Sequence, residues 1–303
     1  MIQKIWVKIM QIIVISGKGG TGKTTIASAF AYLSGQAYIN VDCDVDASNL
    51  HLMFKGTDIE ETPFIGAKLA RIDTEKCHGC GACEKTCRFG AIVIQDGVAY
   101  VKETHCEGCG ACRYTCTQSA ISLGDEVTGS TIITDSTVGL ISRAEMIPGA
   151  EGSGKLVTKV RKNAREYRTH TMPHSILDGS PGVGCAVMAS VTGCDYAVIV
   201  AEPTLSGFED LKRVYELIRH FGIKPLMVIN KYDINREVAD DLEKFCKDMK
   251  VPVVGRVPFD EMVERSINEG VPVVAYETSL AGKAIRRIWN DVESLVHSNG
   301  GQL

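Results

Sequence analysis

Gly17-Lys18-Gly19-Gly20-Thr21-Gly22-Lys23-Thr24 fits the pattern G-x-x-x-x-G-K-[ST], in which a chain turns its own backbone into an anion site. Glycines let successive N–H groups converge on phosphate oxygens, and a helix N-terminus adds its dipole and unpaired donors. Lys23 would reach the β- and γ-phosphates, and the Thr24 hydroxyl would ligate Mg²⁺. The competing reading is a plain glycine turn. The flanks decide against it: the β-branched run Ile12-Ile13-Val14-Ile15 leads in, and Thr25 to Leu33 leads out with helical character.

A second chemistry is written in cysteine. Cys77, Cys80, Cys83 and Cys87 follow the spacing C-x2-C-x2-C-x3-C, and Cys106, Cys109, Cys112 and Cys116 repeat it. Spacing this dense reads as metal ligation rather than disulfide bonding. It matches the bacterial ferredoxin run twice, where three thiolates hold one cubane and the fourth cysteine ligates the other. Cys77, Cys80, Cys83 and Cys116 are thus expected to hold one [4Fe–4S] cluster, and Cys106, Cys109, Cys112 and Cys87 the second. Gly79, Gly81, Gly108 and Gly110 would let the backbone bend around them. Zinc competes for a single C-x2-C pair, but the doubled run disfavours it. The proline usual after the fourth cysteine is replaced by Arg88 and Thr117.

Lys18 makes the glycine loop more particular. Lys18-Gly19-Gly20-Thr21-Gly22-Lys23-Thr24-Thr25 resembles the K-G-G-x-G-K-T-T signature of the deviant P-loop ATPases: MinD, ParA, the nitrogenase iron protein and the Mrp-type iron–sulfur cluster carriers. In that family the first lysine crosses a dimer interface to the partner's nucleotide; the bland alternative is a solvated lysine. The resemblance implies an ATP- and Mg²⁺-dependent homodimer. Within Asp42-Cys43-Asp44-Val45-Asp46 it makes Asp44 the orienter of the attacking water and puts Asp42 in the magnesium shell. Asp46 reads instead as the N-cap of a helix over Ala47–Phe54. Asp178-Gly179-Ser180-Pro181-Gly182 resembles the second switch, with Asp178 on a magnesium-bound water and Gly182 sensing the γ-phosphate. Asn230-Lys231-x-Asp233 would read guanine in a GTPase; in the family that Lys18 indicates, Asn230 contacts adenine, and Pro258 joins the nucleotide site. Cysteines shared across the dimer bridge a cluster in some relatives. Cys185 is therefore either one such ligand or, like Cys194 and Cys246, a small core residue.

These residues need elements to position them. Apolar strands alternate with helices through Ile12–Phe54 and again from Ser175 to Phe259, which predicts a doubly wound, mostly parallel α/β sheet with ligands at the strand ends. The expected division is a first part of the ATPase core over 1–65, an inserted two-cluster ferredoxin domain over 66–124 with short closing strands at 91–94 and 120–123, and the rest of the core over 125–303. The whole resembles MinD-superfamily ATPases with an inserted ferredoxin. Gly149 to Leu156 nearly repeats a phosphate loop, but Leu156 stands where Mg²⁺ needs a hydroxyl; a basic helix over Ser153–Glu166 is expected there.

Composition excludes other classes. The 303 residues, 45% hydrophobic and 23% charged, suit a soluble globular chain. A net charge of −4 argues against nucleic acid as partner. No apolar run reaches the ~18 residues of a membrane span, and residues 2–15 enter the loop without a signal-peptide cleavage site; residues 1–9 read as an extension. Twelve cysteines point to a reducing compartment, the cytoplasm of an anaerobe. The expected function is ATP-dependent electron transfer or cluster delivery to a redox or metalloprotein partner. The rival is a MinD-like positioning ATPase, against which Ser279–Val296 reads as a docking helix rather than a membrane-surface one.

Overall fold

The computed structural model describes residues 9–298. The expected extension, apart from Ile9, and the terminal Asn299–Leu303 lie outside the described residues. The chain forms two compact units. One comprises the described chain up to Thr62, Thr131–Glu145 and everything from Ser153 on; the other comprises Pro63–Ser130 and Met146–Gly152.

The elements in chain order are β1 (Gln11–Ile15), α1 (Lys23–Ser34), β2 (Tyr38–Asp42), β3 (Gly56–Ile72), α2 (Ala82–Thr86), β4 (Ile92–Gln95), β5 (Val98–Val101), α3 (Ala111–Thr115), β6 (Ile121–Ser136), β7 (Gly139–Met146) and α4 (Ser153–Glu166). There follow β8 (His174–Asp178), α5 (Cys185–Val191), β9 (Tyr196–Ala201), α6 (Leu205–His220), β10 (Lys224–Asn230), α7 (Arg236–Asp248), β11 (Val253–Val257), α8 (Met262–Glu269) and α9 (Leu280–Ser298). The large sheet runs β11-β10-β9-β1-β8-β2-β7-β6-β3. Every pairing from β11 through to β7 is parallel. The central strands are buried on both faces, which is why they read as continuous apolar runs. β1 lies between β8 and β9, with Ile13 opposite Leu177 and Ala197. The loop after β1 is therefore flanked by the carboxyl ends of both neighbours, where open α/β sheets bind ligands. One core cluster holds Phe30 of α1 against Ile285, Ile288, Trp289 and Val292 of α9; the Phe30 and Trp289 rings are 5.0 Å apart. The apolar stripe of α9 is thus spent on the core.

Two expectations change. The helix over Ala47–Phe54 is only a 3₁₀ turn, Leu50–Met53, preceded by Asn49, and Asp46 is exposed. The strand at 120–123 does not stop: Ile121 begins the sixteen-residue β6. Its counterpart β3, seventeen residues long, has its first half largely exposed, so it carries no alternating apolar signal. Both long strands run through the unit boundaries along the chain.

In the second unit β4 and β5 form an antiparallel hairpin. α2 and α3 are five-residue helices, each entered from a left-handed glycine, Gly81 at φ 74° and Gly110 at φ 76°. The repeat in sequence is thus a repeat in structure. The small core of this unit contains Cys83 and Cys112 with Ile92, Ala99 and Ile121.

Candidate functional site

The loop Ser16–Gly22 opens onto a cleft of about 930 Å³. Its walls include Gly19, Gly20, Thr24 and Thr25 on one side and Pro258 and Phe259 on the other. Gly22, at φ 88°, caps α1; an added Cβ would collide with the Asn230 amide. That approach has a purpose, since Asn230 Nδ2 donates to the Thr21 carbonyl at 2.7 Å and Lys231 Nζ to the Gly20 carbonyl at 3.2 Å. Asp233 accepts the Phe259 N–H at 2.8 Å. The N-K-x-D residues therefore brace the loops on either side of the cleft. Gly17 stands against Asp210 of α6.

Lys23 Nζ lies 2.5 Å from Asp178 Oδ1 and 3.8 Å from Asp44 Oδ2. Thr24 Oγ1 donates to Asp178 Oδ2 at 2.7 Å. Asp178 is fully buried and Asp44 half-buried. Burial alone would lower the Lys23 ammonium, but Asp178, Asp44 and Asp42 outweigh it and raise its affinity for the proton. Burial pushes the Asp44 carboxyl up, with Lys23 opposing and Asp178 adding. Lys23, Thr24 and Asp178, the residues expected at the phosphates, the magnesium and the second switch, thus meet at one point. The segments expected to be the two switches are also knit together: Cys43 N–H donates to the Asp178 carbonyl at 2.8 Å, Ser180 Oγ to the Cys43 carbonyl at 2.6 Å, and Gly182 N–H to the Ser16 carbonyl at 3.0 Å.

Asp42, expected in the magnesium shell, is already engaged by the protein. One of its oxygens accepts Asp44 N–H, and the other accepts Ser48 Oγ, Asn49 N–H and Leu50 N–H, all within 3.0 Å. With four donors on a fully buried side chain, it holds the loop that carries Asp44. Those bonds also draw 48–50 away from the expected helix.

Lys18 is turned back on its own chain. Its Nζ is 2.7 Å from Glu202 Oε1, with Ser206 Oγ at 3.1 Å. Glu202 follows β9, so the β1–β9 pairing brings it to the loop. Reading the sequence did not single it out, because only strand order makes the two neighbours; a carboxylate just past a strand end was the available signal.

Cys185 is exposed and lines the cleft, which removes its reading as a core residue, whereas Cys43, Cys194 and Cys246 are buried. Gly154 of α4 backs onto it: an added Cβ would lie 3.3 Å from the Cys185 carbonyl oxygen.

The eight clustered cysteines line two cavities. Cys77, Cys80, Cys83 and Cys116 surround one; Cys87, Cys106, Cys109 and Cys112 surround the other. None of the eight is paired in a disulfide. The third residue of each run approaches backbone too closely for a side chain: a Cβ on Gly79 would strike the Gly97 carbonyl, and one on Gly108 the Lys68 carbonyl. Ala99 N–H donates to Cys77 Sγ at 3.4 Å and Ala120 N–H to Cys116 Sγ at 3.3 Å. Among the described residues no three His, Cys, Asp or Glu side chains converge as a single ion would require.

Residues 12–273 match the CobQ/CobB/MinD/ParA nucleotide binding domain. An uncharacterized protein of Methanocaldococcus jannaschii is 36% identical over 230 residues, 75% of this chain and 80% of its own. The septum site-determining protein MinD of Escherichia coli is 22% identical, over 90% of this chain and 87% of its own. Among solved structures, MinD of Pyrococcus horikoshii complexed with Mg-ADP superposes with a TM-score of 0.57 at 18% identity, covering 97% of this chain and all of that one. The cell division ATPase MinD of Pyrococcus furiosus has the same TM-score at 19% identity, over 94% of this chain and 99% of that one.

Proposed function

The chain belongs to the CobQ/CobB/MinD/ParA nucleotide-binding family, and from that premise we propose that it is a dimerising, Mg²⁺-dependent ATPase whose switch is coupled to two [4Fe–4S] clusters. The ATPase part comes with the family: MinD is a cell division ATPase in one solved neighbour and binds Mg-ADP in another. Lys23 neutralises the phosphates, Thr24 and Asp178 hold the metal and its water, and Asp44 orients the attacking water at the cleft. Asp42 keeps Asp44 in place. Asn230 and Pro258 flank the base. ATP rather than GTP suits Asp233, which holds Phe259 and does not line the cleft.

One observation carries the cluster part. Each cavity is lined by three cysteines of one run and the fourth of the other, the crossed pattern of two-cluster ferredoxins. A cluster would bring one-electron redox chemistry. The protein's own contribution is the free thiols, the two N–H···S bonds that tune potential, and the glycines that admit the backbone. Dense free thiols suit a reducing compartment, so the proposal places the protein in the cytoplasm, delivering electrons or clusters to a redox or metalloprotein partner.

A second reading, a positioning or regulatory ATPase without clusters, is what the comparisons alone favour, since they name MinD and carry nothing about iron. Against a MinD-like membrane role stands α9, whose apolar face is in the core. No helix among the described residues is long and apolar enough to cross a membrane.

The coupling is tested by redox titration. β3 begins just beyond the loop that Asp42 organises and ends shortly before Cys77, so one strand lies between the first switch and the cysteine runs along the chain. Couplings of this kind are typically ~5–150-fold, and tenfold equals about 59 mV for one electron. A non-hydrolysable ATP analogue, compared with ADP, is therefore expected to shift at least one potential by roughly 40–130 mV, followed by EPR. Reduction must change the affinity for the analogue relative to ADP by the same factor. Superimposable curves with equal affinities would make the cysteine unit a passenger.

A further inference from the structure

We infer that Glu202 is a positioning residue that locks the signature lysine in cis and so sets the threshold for nucleotide-driven dimerisation. The inference rests on the dimerising-ATPase reading, in which Lys18 must reach the partner's nucleotide. In a single chain Lys18 is already engaged: Glu202 Oε1 lies 2.7 Å away, and Ser206 and Thr204 hydroxyls lie at 3.1 and 3.4 Å. An ammonium has three protons to donate, and these three oxygens take all of them. Crossing to a second copy therefore means breaking this set first.

The other half of the device is Lys231. Its Nζ lies 3.5 Å from Glu202 Oε2 and 3.2 Å from the Gly20 carbonyl. Lys231 adopts φ +53°, a left-handed conformation that a non-glycine residue holds only when its surroundings fix it. When Lys18 leaves, Glu202 keeps a cation beside it, so the departure does not strand a carboxylate that is only 17% exposed. Lys231 goes on holding the glycine tip of the loop. Release of Lys18 is thereby separated from disruption of the phosphate site.

Lys18 and Glu202 are 31% and 17% exposed. A partly exposed ion pair of this kind holds with a factor of roughly 1.4–5. A symmetric dimer releases two, so removing the lock is expected to tighten dimerisation by roughly 2–25-fold. The threshold then responds to what competes for Lys18, a second copy loaded with triphosphate supplying several oxygens in place of one carboxylate.

The experiment is analytical ultracentrifugation of the full chain with a non-hydrolysable ATP analogue, for wild type, Glu202→Gln, Lys18→Ala and the double variant. Glu202→Gln is expected to dimerise at lower concentration, and the gain is expected to vanish when Lys18 is alanine. Ser206→Ala, which removes one hydroxyl partner, should move dimerisation in the same direction by less. Weaker or unchanged dimerisation of Glu202→Gln, or a gain that persists without Lys18, overturns the lock. So does a parallel loss of ADP affinity in monomeric Glu202→Gln, which would mark a loosened loop. Failure of the underlying reading looks different: wild type and Lys18→Ala would then dimerise alike, or not at all, in every nucleotide state.

Discussion

Lys23→Ala is expected to abolish tight nucleotide binding and to lower stability even without nucleotide. Lys23 is almost fully buried, 2.5 Å from Asp178 and 3.8 Å from Asp44. Removing one partner of a buried ion pair leaves the other charge uncompensated, at a cost of about 3–5 kcal/mol. Among the described residues, Asp178 would keep only Thr24 as a side-chain donor. The same ammonium is the cation that meets the β- and γ-phosphates, so ATP would bring its charge to a site with two unneutralised carboxylates. Affinity should fall by two orders of magnitude or more, taking about 1.4 kcal/mol per tenfold. Calorimetric titration with an ATP analogue measures the first effect and a denaturant melt the second. Wild-type affinity in a folded variant would show that the loop does not bind phosphate through Lys23.

The second large effect concerns which cysteines act together. If each cavity holds one cluster, then Cys77→Ala with Cys116→Ala strikes a single cavity, and the protein should keep about four iron per chain, one cubane. Cys77→Ala with Cys87→Ala strikes both cavities and should leave almost none. A chain that grouped its ligands by run would show the reverse, because Cys77 and Cys87 belong to one run. The comparison is between two double variants, so a general loss of stability from losing any cysteine does not imitate it. Equal iron in the two variants would contradict the crossed arrangement.

Much of this was legible in the sequence because it is local. The glycine loop specifies its own geometry, and the strand and helix that flank it are strongly patterned. The cysteine runs announce themselves by spacing, and the ferredoxin pattern they match groups three of one run with the fourth of the other, the grouping that lines the two cavities. What was not legible depends on partners far along the chain or on strands without a hydrophobic signature. β3 is long, acidic at its start and largely exposed there, so no periodicity marks it. Asp42 and Asp44 look alike as strand-end carboxylates; only the four donors folded over Asp42 give them different tasks. Glu202 meets Lys18 because β9 lies beside β1, a fact of sheet order. Asp46 suggested a helix cap, yet Asp42 takes the N–H groups of Asn49 and Leu50, and the helix does not form.

The proposal of an ATPase switch joined to two clusters stands or falls most directly on an elemental count. Protein purified under strict anaerobiosis, with its mass confirmed and its binding of an ATP analogue demonstrated, is expected to contain about eight iron and about eight acid-labile sulfide per chain, two cubanes. Folded protein that binds the analogue but carries no iron or sulfide, even after reconstitution with both, would contradict the account and leave a MinD-like ATPase whose eight clustered cysteines serve some other end.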